Sequence, residues 1–519
     1  LALLTRSRKK LLIAFVSFIA LIAGFLIFEH VRGSWTLKRW KARMEARGEV
    51  LNIDKLSPVP PPAEDNGLAQ VIWAAGQLGS FPTDLQPPAA KYLAPGRCVV
   101  ITELNEWPRS ARNTNATVTW AGVAEALALA EPDIQSALEA LQSPAFYANM
   151  NYRAGFNMPV NHLTRMKSLS LVLSAAVLHD IHQGQMGEAL FKLRALLTIP
   201  NVQKDEPIII SQLVRIAIMQ ITFQVTWQAL QRDGWSDEQL AALQDLWSAD
   251  DFLRTMDKAL CMERALAVVE FEDFRNSDRA VTDMLTPPGA AAAPTPSLLS
   301  WDWVGKMFSP VQVFTPIWKF AWSHQDELHF CQRTQAALEI HRRALLAKAG
   351  ATAIADGARI QEESLPAGPY NRVRFIVSQM ILGSSSKVLQ RAWLAQTTVE
   401  IARTAIALKR YELRYGKLTC TLDALVPDFL PEHPVDYMDG KPLRYCLDSE
   451  SAFLLYSVGL DGRDDGGDTT PSTGANLNYQ NTRDVVWPQP ASEAEVLAWT
   501  SSAYRPDNTR RRGRAVPAN

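Results

Sequence analysis

Residues 395–468 read AQTTVEIARTAIALKRYELRYGKLTCTLDALVPDFLPEHPVDYMDGKPLRYCLDSESAFLLYSVGLDGRDDGGD, and the order of patterns along this stretch decides how the chain is read. Apolar residues recur at Leu394, Ile401, Ala405, Leu408 and Tyr415, with Val399, Ala402 and Ile406 beside them. That spacing predicts an amphipathic helix, with Glu400, Arg403, Lys409, Arg410 and Arg414 on its polar side. Gly416 suits a left-handed C-cap, and Pro427, Pro431 and Pro434 forbid a further long helix. Residues 441–447 and 452–458 predict two strands of a hairpin joined by the polar turn 448–451. Asp461, Asp464, Asp465 and Asp468 follow, four carboxylates in eight residues, among glycines that let the backbone fold tightly. A hard cation such as calcium, which takes roughly six to eight oxygens, would relieve their repulsion. The spacing does not follow the EF-hand pattern, and a solvated acidic turn accounts for the composition as well.

The ordered set RYGKL, LDALVP, PVDYMDGKPLRY and FLLYSVGLDGRDDGG resembles the periplasmic part of the major pseudopilin of type II secretion, the general secretion pathway protein G family. The matching positions are Pro434, Asp436, Gly440, Tyr445, Ser457, Gly459, Asp461 and Gly462, and they cover under a fifth of the chain. The resemblance implies a helix, a loop and a small antiparallel sheet, ending in a loop that binds calcium. By the same resemblance Asp461 is the leading calcium ligand, with Asp464, Asp465 and Asp468 as partners. In that family the helix directly follows a leader and a glycine-phenylalanine cleavage site. Here it starts near Ala395, which implies a pilin-like module fused to something larger rather than assembly into a pseudopilus.

Working outward, the 519 residues suffice for two or three domains, and 47% apolar content supports ample core. A net charge of −1 gives no overall attraction to nucleic acid, and none is expected as a partner. Arg6, Arg8, Lys9 and Lys10 precede an unbroken apolar run, Leu11 to Phe28. At 1.5 Å per residue that run covers about 27 Å, close to a bilayer core. No small-x-small cleavage site follows, so the run predicts an uncleaved signal anchor that contacts membrane lipid. Residues 31–50 predict a helical stalk, with Trp35 and Trp40 placed for the lipid interface.

The middle of the chain predicts helices at 125–141, 160–183, 188–197 and 206–230. Others start at Ser236, with a capping pattern to Gln239, and after Asp250 or Asp251. Arg215 and the glutamines argue against reading 206–230 as a membrane span. The expected fold is therefore mainly α: a transmembrane anchor and stalk (1–50), a helical-hairpin bundle or solenoid (51–385), a small α+β pilin-like module (386–487) and a flexible tail (488–519). The low-complexity run 286–297 predicts a loop. The tryptophan- and phenylalanine-rich segment 301–322 predicts either a flap, a membrane contact or rings packed on the core. The implied setting is the bacterial cytoplasmic membrane, with a single span and the bulk of the chain outside the cytoplasm, where a protein partner in the envelope is expected.

Chemistry is sparse. His179 and His182 stand three apart on a predicted helix, which allows a shared metal, but no HExxH pattern occurs. His324 and His329 are poorly spaced for one. Glu263 and Glu270 share a helical face and offer an acid-base pair for a membrane-tethered hydrolase, although Arg264 and Arg275 lie near enough to form ordinary ion pairs. GxSxG, Walker and dinucleotide fingerprints are absent from the sequence. Of the five cysteines, Cys420 and Cys446 fall in the pilin-like stretch, where they either bridge or stay separate thiols. These readings favour a non-enzymatic envelope protein acting in assembly, scaffolding or binding, in a secretion-related setting.

Overall fold

The computed structural model describes residues 2–109, 117–248, 251–277, 281, 310–363, 366–382, 385–448, 452–471 and 482–502. Among them helices dominate, with three small sheets and a long apolar helix at the N-terminus. The low-complexity run 286–297 and Trp301, Trp303 and Phe308 lie outside the described residues.

Helix α1 (Ala2–Ala46) is continuous from the apolar run into the body. Leu11, Phe15, Leu21 and Phe28 are exposed, so this run is apolar without being covered by the body. From Glu29 the pattern changes: Glu29, Gly33, Leu37, Trp40 and Met44 are buried at spacings of three and four, one stripe of an α-helix. Trp40 therefore does not sit in the lipid interface as its position in the sequence suggested. It packs with Met44, Leu51 and Cys331, because residues 29–46 are docked along the body rather than standing free. Trp35, on the other side, is exposed.

A short α2 (Ile53–Leu56) and α3 (Leu68–Gln77) lead to α4 (Trp120–Ala140), which Thr119 caps by accepting from the Gly122 amide. Then follow α5 (Asn161–His182), α6 (Met186–Val202), α7 (Ile209–Leu230), α8 (Asp237–Trp247) and α9 (Phe252–Asn276). Ser236 and Gln239 form the expected capping box of α8, and Asp251 caps α9. Helix α7 is apolar enough to span a bilayer, yet it is a core helix, with Arg215 fully buried and bonded to Gln212 and Thr255. Helix α10 (Pro310–Ile317) passes through a π-turn (Trp318–Trp322) into α11 (Ser323–Ala347), which lies against α1 and α9. After α12 (Gly350–Glu363) come two short helices, α13 (Gly368–Arg374) and α14 (Ile376–Ile381). The buried Asp326 carboxylate holds α14 by accepting from the Val377 and Ser378 amides, both at 3.1 Å.

The predicted C-terminal helix is α15 (Ser385–Tyr415), ending before Gly416 in the left-handed region. It packs on α7, α8 and α9, and its Trp393, Ile401, Ile406 and Leu408 share one apolar core with those helices. Leu455, Val458, Val485 and Trp487 of the following sheet join the same core, so residues 386–487 fold onto residues 51–385 without a separate interior.

That sheet is built from β1 (Arg444–Leu447), β2 (Phe453–Ser457) and β3 (Val485–Val486), antiparallel, with β2 central. Its register pairs Arg444 with Tyr456 and Ser457 with Val485. The segment after Trp487 is not a loose tail as far as Ser502. Gln489 and Ala491 donate to the carbonyls of Gly96 and Cys98, forming a strand (Gln489–Pro490) parallel to Arg97–Cys98. A further helix, α16 (Glu493–Ser502), then places Trp499 beside Lys91. Main-chain bonds to a partner some 390 residues earlier order this segment, which local composition could not reveal; residues 503–519 lie outside the described residues.

Candidate functional site

The acidic loop hangs from a buried carboxylate. Asp436 is fully buried; its Oδ1 accepts from the Met438 amide and the Ser457 hydroxyl, and its Oδ2 from the Val458 amide and Arg444. Burial pushes this carboxyl above its ordinary range, and its donors pull against that rise. Arg444 also pairs with Asp439 and reaches Asp464 at 3.4 Å, so one guanidinium ties the proline-rich loop to the strand and the strand to the acidic turn. Gly459 then turns in the left-handed region, where a Cβ would meet the Arg483 carbonyl at 2.1 Å. Only glycine allows the two ends of the loop to approach this closely.

Beyond Gly459 the four predicted ligands behave differently. Asp461 is exposed and closes its own turn, accepting from the Arg463 amide. Asp464 folds back toward the strand, accepting from the Tyr456 hydroxyl at 2.9 Å and the Gly466 amide at 3.1 Å. Asp465 is exposed. Asp468 accepts from the Thr470 hydroxyl and amide, and from Arg483 at 3.3 Å.

Sequence reasoning missed the fifth carboxylate, Asp484. It is fully buried; its Oδ2 accepts from the Gly467 and Asp468 amides at 2.7 and 3.2 Å, and its Oδ1 has no hydrogen-bond partner among the described residues. Burial, with the charges of Asp464 and Asp465 added, pushes Asp484 up to about 6. A buried anion with an orphan oxygen beside further carboxylates is a donor set suited to a hard cation. Among the described residues no three metal-ligating side chains already converge. The signal available in the sequence was weak: one acid at the mouth of the apolar pair Val485–Val486.

The Glu263–Glu270 face exists on α9, two turns apart, but the two acids do different things. Glu270 accepts from the Phe156 amide at 3.1 Å across Gly155, whose Cβ would collide with that carboxylate. Glu263 lines a pocket of about 370 Å³ whose walls are Met158, Val160, Ile208, Ile210, Leu213 and Leu266. Burial pushes Glu263 up to about 7. The neighbouring arginines do not neutralise this face: Arg264 turns to Glu49 at 3.0 Å and Arg275 to Glu327 at 2.7 Å. The nearby buried trio His162, Glu206 and Ser211 has the carboxylate in the middle, bonded to both partners. A histidine so placed cannot take the serine proton, so the trio is not a nucleophile relay.

His179 and His182 both pack on the Trp120 ring, with centroids at 6.2 and 4.6 Å, and each has a further partner. His182 bonds the Thr102 carbonyl and stacks on Trp120, while His179 lies 3.8 Å from Asp180. His324 packs edge-on to His30, and His329 meets Ser378. Cys98, Cys261 and Cys331 are buried thiols, and Cys420 and Cys446 are free and exposed. No known protein family, no curated protein and no solved structure matches this chain.

Proposed function

We propose that this chain is a membrane-anchored protein of the bacterial cell envelope, single-pass, with its bulk outside the cytoplasm and a non-enzymatic role in assembly, scaffolding or binding in a secretion-related setting. The observation that carries this reading is α1: exposed and apolar over residues 11–28, then buried along the body without a break. Such a helix presents the body at a fixed distance from the bilayer. Residues 386–487 act in this proposal as a pilin-like module laid on a helical-hairpin bundle. Asp436, Ser457 and Gly459 are at work there in the positions that the pseudopilin resemblance marks.

Calcium belongs to the same proposal. Asp464, Asp465, Asp468 and Asp484 would hold it, and its charge would offset the burial and the neighbouring carboxylate charges that together lift Asp484. The orphan oxygen of Asp484 supports this ligand set over one centred on Asp461. The test is a melting curve of the full chain with calcium and with chelator. A cation bound at a hundredfold excess over its Kd stabilises by about 2.7 kcal/mol. Asp484→Asn should abolish the response and Asp461→Ala should leave it intact; equal midpoints for wild type would leave only a solvated turn. Topology is tested separately: protease added to intact spheroplasts should digest the body, and full protection would reverse the orientation.

The alternative, a membrane-tethered hydrolase, rests on the unpaired Glu263 at its apolar pocket. Glu270 is already engaged by the Phe156 amide, which counts against a working pair. Capture of the intact membrane protein with its bound partners separates the two roles.

A further inference from the structure

We propose that the body carries a second membrane-contacting surface, formed by α13, α14 and the π-turn, which lies in the headgroup region beside the anchor. The inference rests on reading residues 11–28 as a bilayer span. Phe25 lies three residues inside the end of that run, about 4.5 Å deep along the helix. Yet its ring touches Tyr370 of the body, with centroids 6.3 Å apart. The Tyr370 hydroxyl donates to Glu29 at 3.0 Å, one residue beyond the run. At the next position the His30 ring stacks on Phe320 at 4.8 Å, and its Nδ1 donates to the Phe320 carbonyl. These contacts bring α13 and the π-turn to the level where the anchor leaves the hydrocarbon.

What this level exposes is apolar and cationic. Phe320, Tyr370, Val373 and Met380 are between 42% and 50% exposed, although each is large enough to favour burial. Residues 366–382 contain Arg372 and Arg374 and no acidic residue. The Arg374 guanidinium lies over the Phe375 ring at 4.4 Å and the Tyr370 ring at 5.9 Å, and Arg372 is exposed. Aromatic rings, a few aliphatic side chains and arginines at one depth match the chemistry of a phospholipid interface, where rings sit among headgroups and arginines reach phosphates. Lipid is the occupant the geometry selects, because the surface is continuous with the anchor that the bilayer already surrounds.

The experiment uses the full chain in lipid nanodiscs, with the exposed thiols removed by Cys420→Ser and Cys446→Ser. Spin labels are placed singly through Ile19→Cys, Val373→Cys, Met380→Cys and Leu346→Cys, all at exposed positions. Leu346 is the aqueous control, about 35 Å along α11 from its start at Ser323. Collision with dissolved oxygen reports lipid, and collision with a water-soluble nickel chelate reports water. Oxygen should dominate at 19, 373 and 380, and nickel at 346. Lipid contact at 19 with water at both 373 and 380 would overturn this surface alone and leave it free for a protein partner. Water at 19 would overturn the anchor and the surface together.

Discussion

Gly33 on helix α1 lies so close to Gln325 that a Cβ at residue 33 would meet the Gln325 Cγ at 2.7 Å. Gln325 cannot swing aside freely, because its amide donates to both the Glu29 carbonyl and the Glu29 carboxylate, at 2.8 and 2.9 Å. The join between anchor and body is thus set by the absence of one side chain. Gly33→Leu should force the helices apart and destabilise the body by about 1–3 kcal/mol. Gly33→Ala should cost less, since alanine regains about 0.5–1 kcal/mol of helix propensity. Thermal unfolding in nanodiscs measures both, and a leucine variant with an unchanged midpoint would show that the two helices are not in firm contact.

Asp484 gives a pH signature. Its folded value is raised to about 6, above the ordinary carboxyl, so the folded state holds this proton more tightly than the unfolded state. The group therefore costs stability above about pH 6, and the cost is relieved as pH falls toward the ordinary carboxyl range. Asp484→Asn should melt above wild type at pH 8 in chelator, with the gap closing by pH 4. Calcium should invert the order at pH 8 by stabilising only the wild type. A gap independent of pH would mean that the carboxylate is not ionising at that site.

The same sign holds for Glu263, raised to about 7 by burial. Stability should fall as pH rises through 7, and Glu263→Leu should remove that dependence. At 1.36 kcal/mol per unit the gain at pH 9 is at most about 3 kcal/mol, and less where water reaches the pocket mouth. Paired melting curves between pH 4 and 9 check it; parallel curves would place the carboxylate in water.

Asp436 is the staple of the sheet. Asp436→Ala leaves the Met438 and Val458 amides without their acceptor and strips Arg444 of a buried partner, which should cost about 3 kcal/mol locally. Hydrogen exchange should quicken at those two amides first. Protection equal to wild type at both would show that the loop does not depend on this carboxylate.

How much of this was legible in the sequence depended on how far away each partner lay. Helices α5, α7 and α9, the Ser236–Gln239 box and the β1–β2 hairpin follow from periodicity and caps within a few residues, and they stand close to where those signals put them. The direction Trp40 faces depends on Cys331, and the partner of Arg264 is Glu49, 215 positions earlier. Neither contact leaves a local mark. Asp484 escaped notice for the same reason, since the amides it accepts from belong to Gly467 and Asp468, 17 and 16 positions earlier.

If residues 11–28 span a bilayer, as proposed above, the unbroken course of α1 has a mechanical consequence for the membrane itself. An apolar run of about 27 Å is slightly shorter than a hydrocarbon core of about 30 Å. A helix shorter than the core meets such a mismatch by drawing the bilayer thinner or by letting its flanking side chains snorkel to the interface. Here the helix is welded to the body through Gly33, Leu37 and Met44, so neither can move without the other. The lipid is the softer partner and is expected to thin around each copy. Neighbouring copies would then lower the total deformation by sharing one thinned patch, which draws them together without any contact between their proteins.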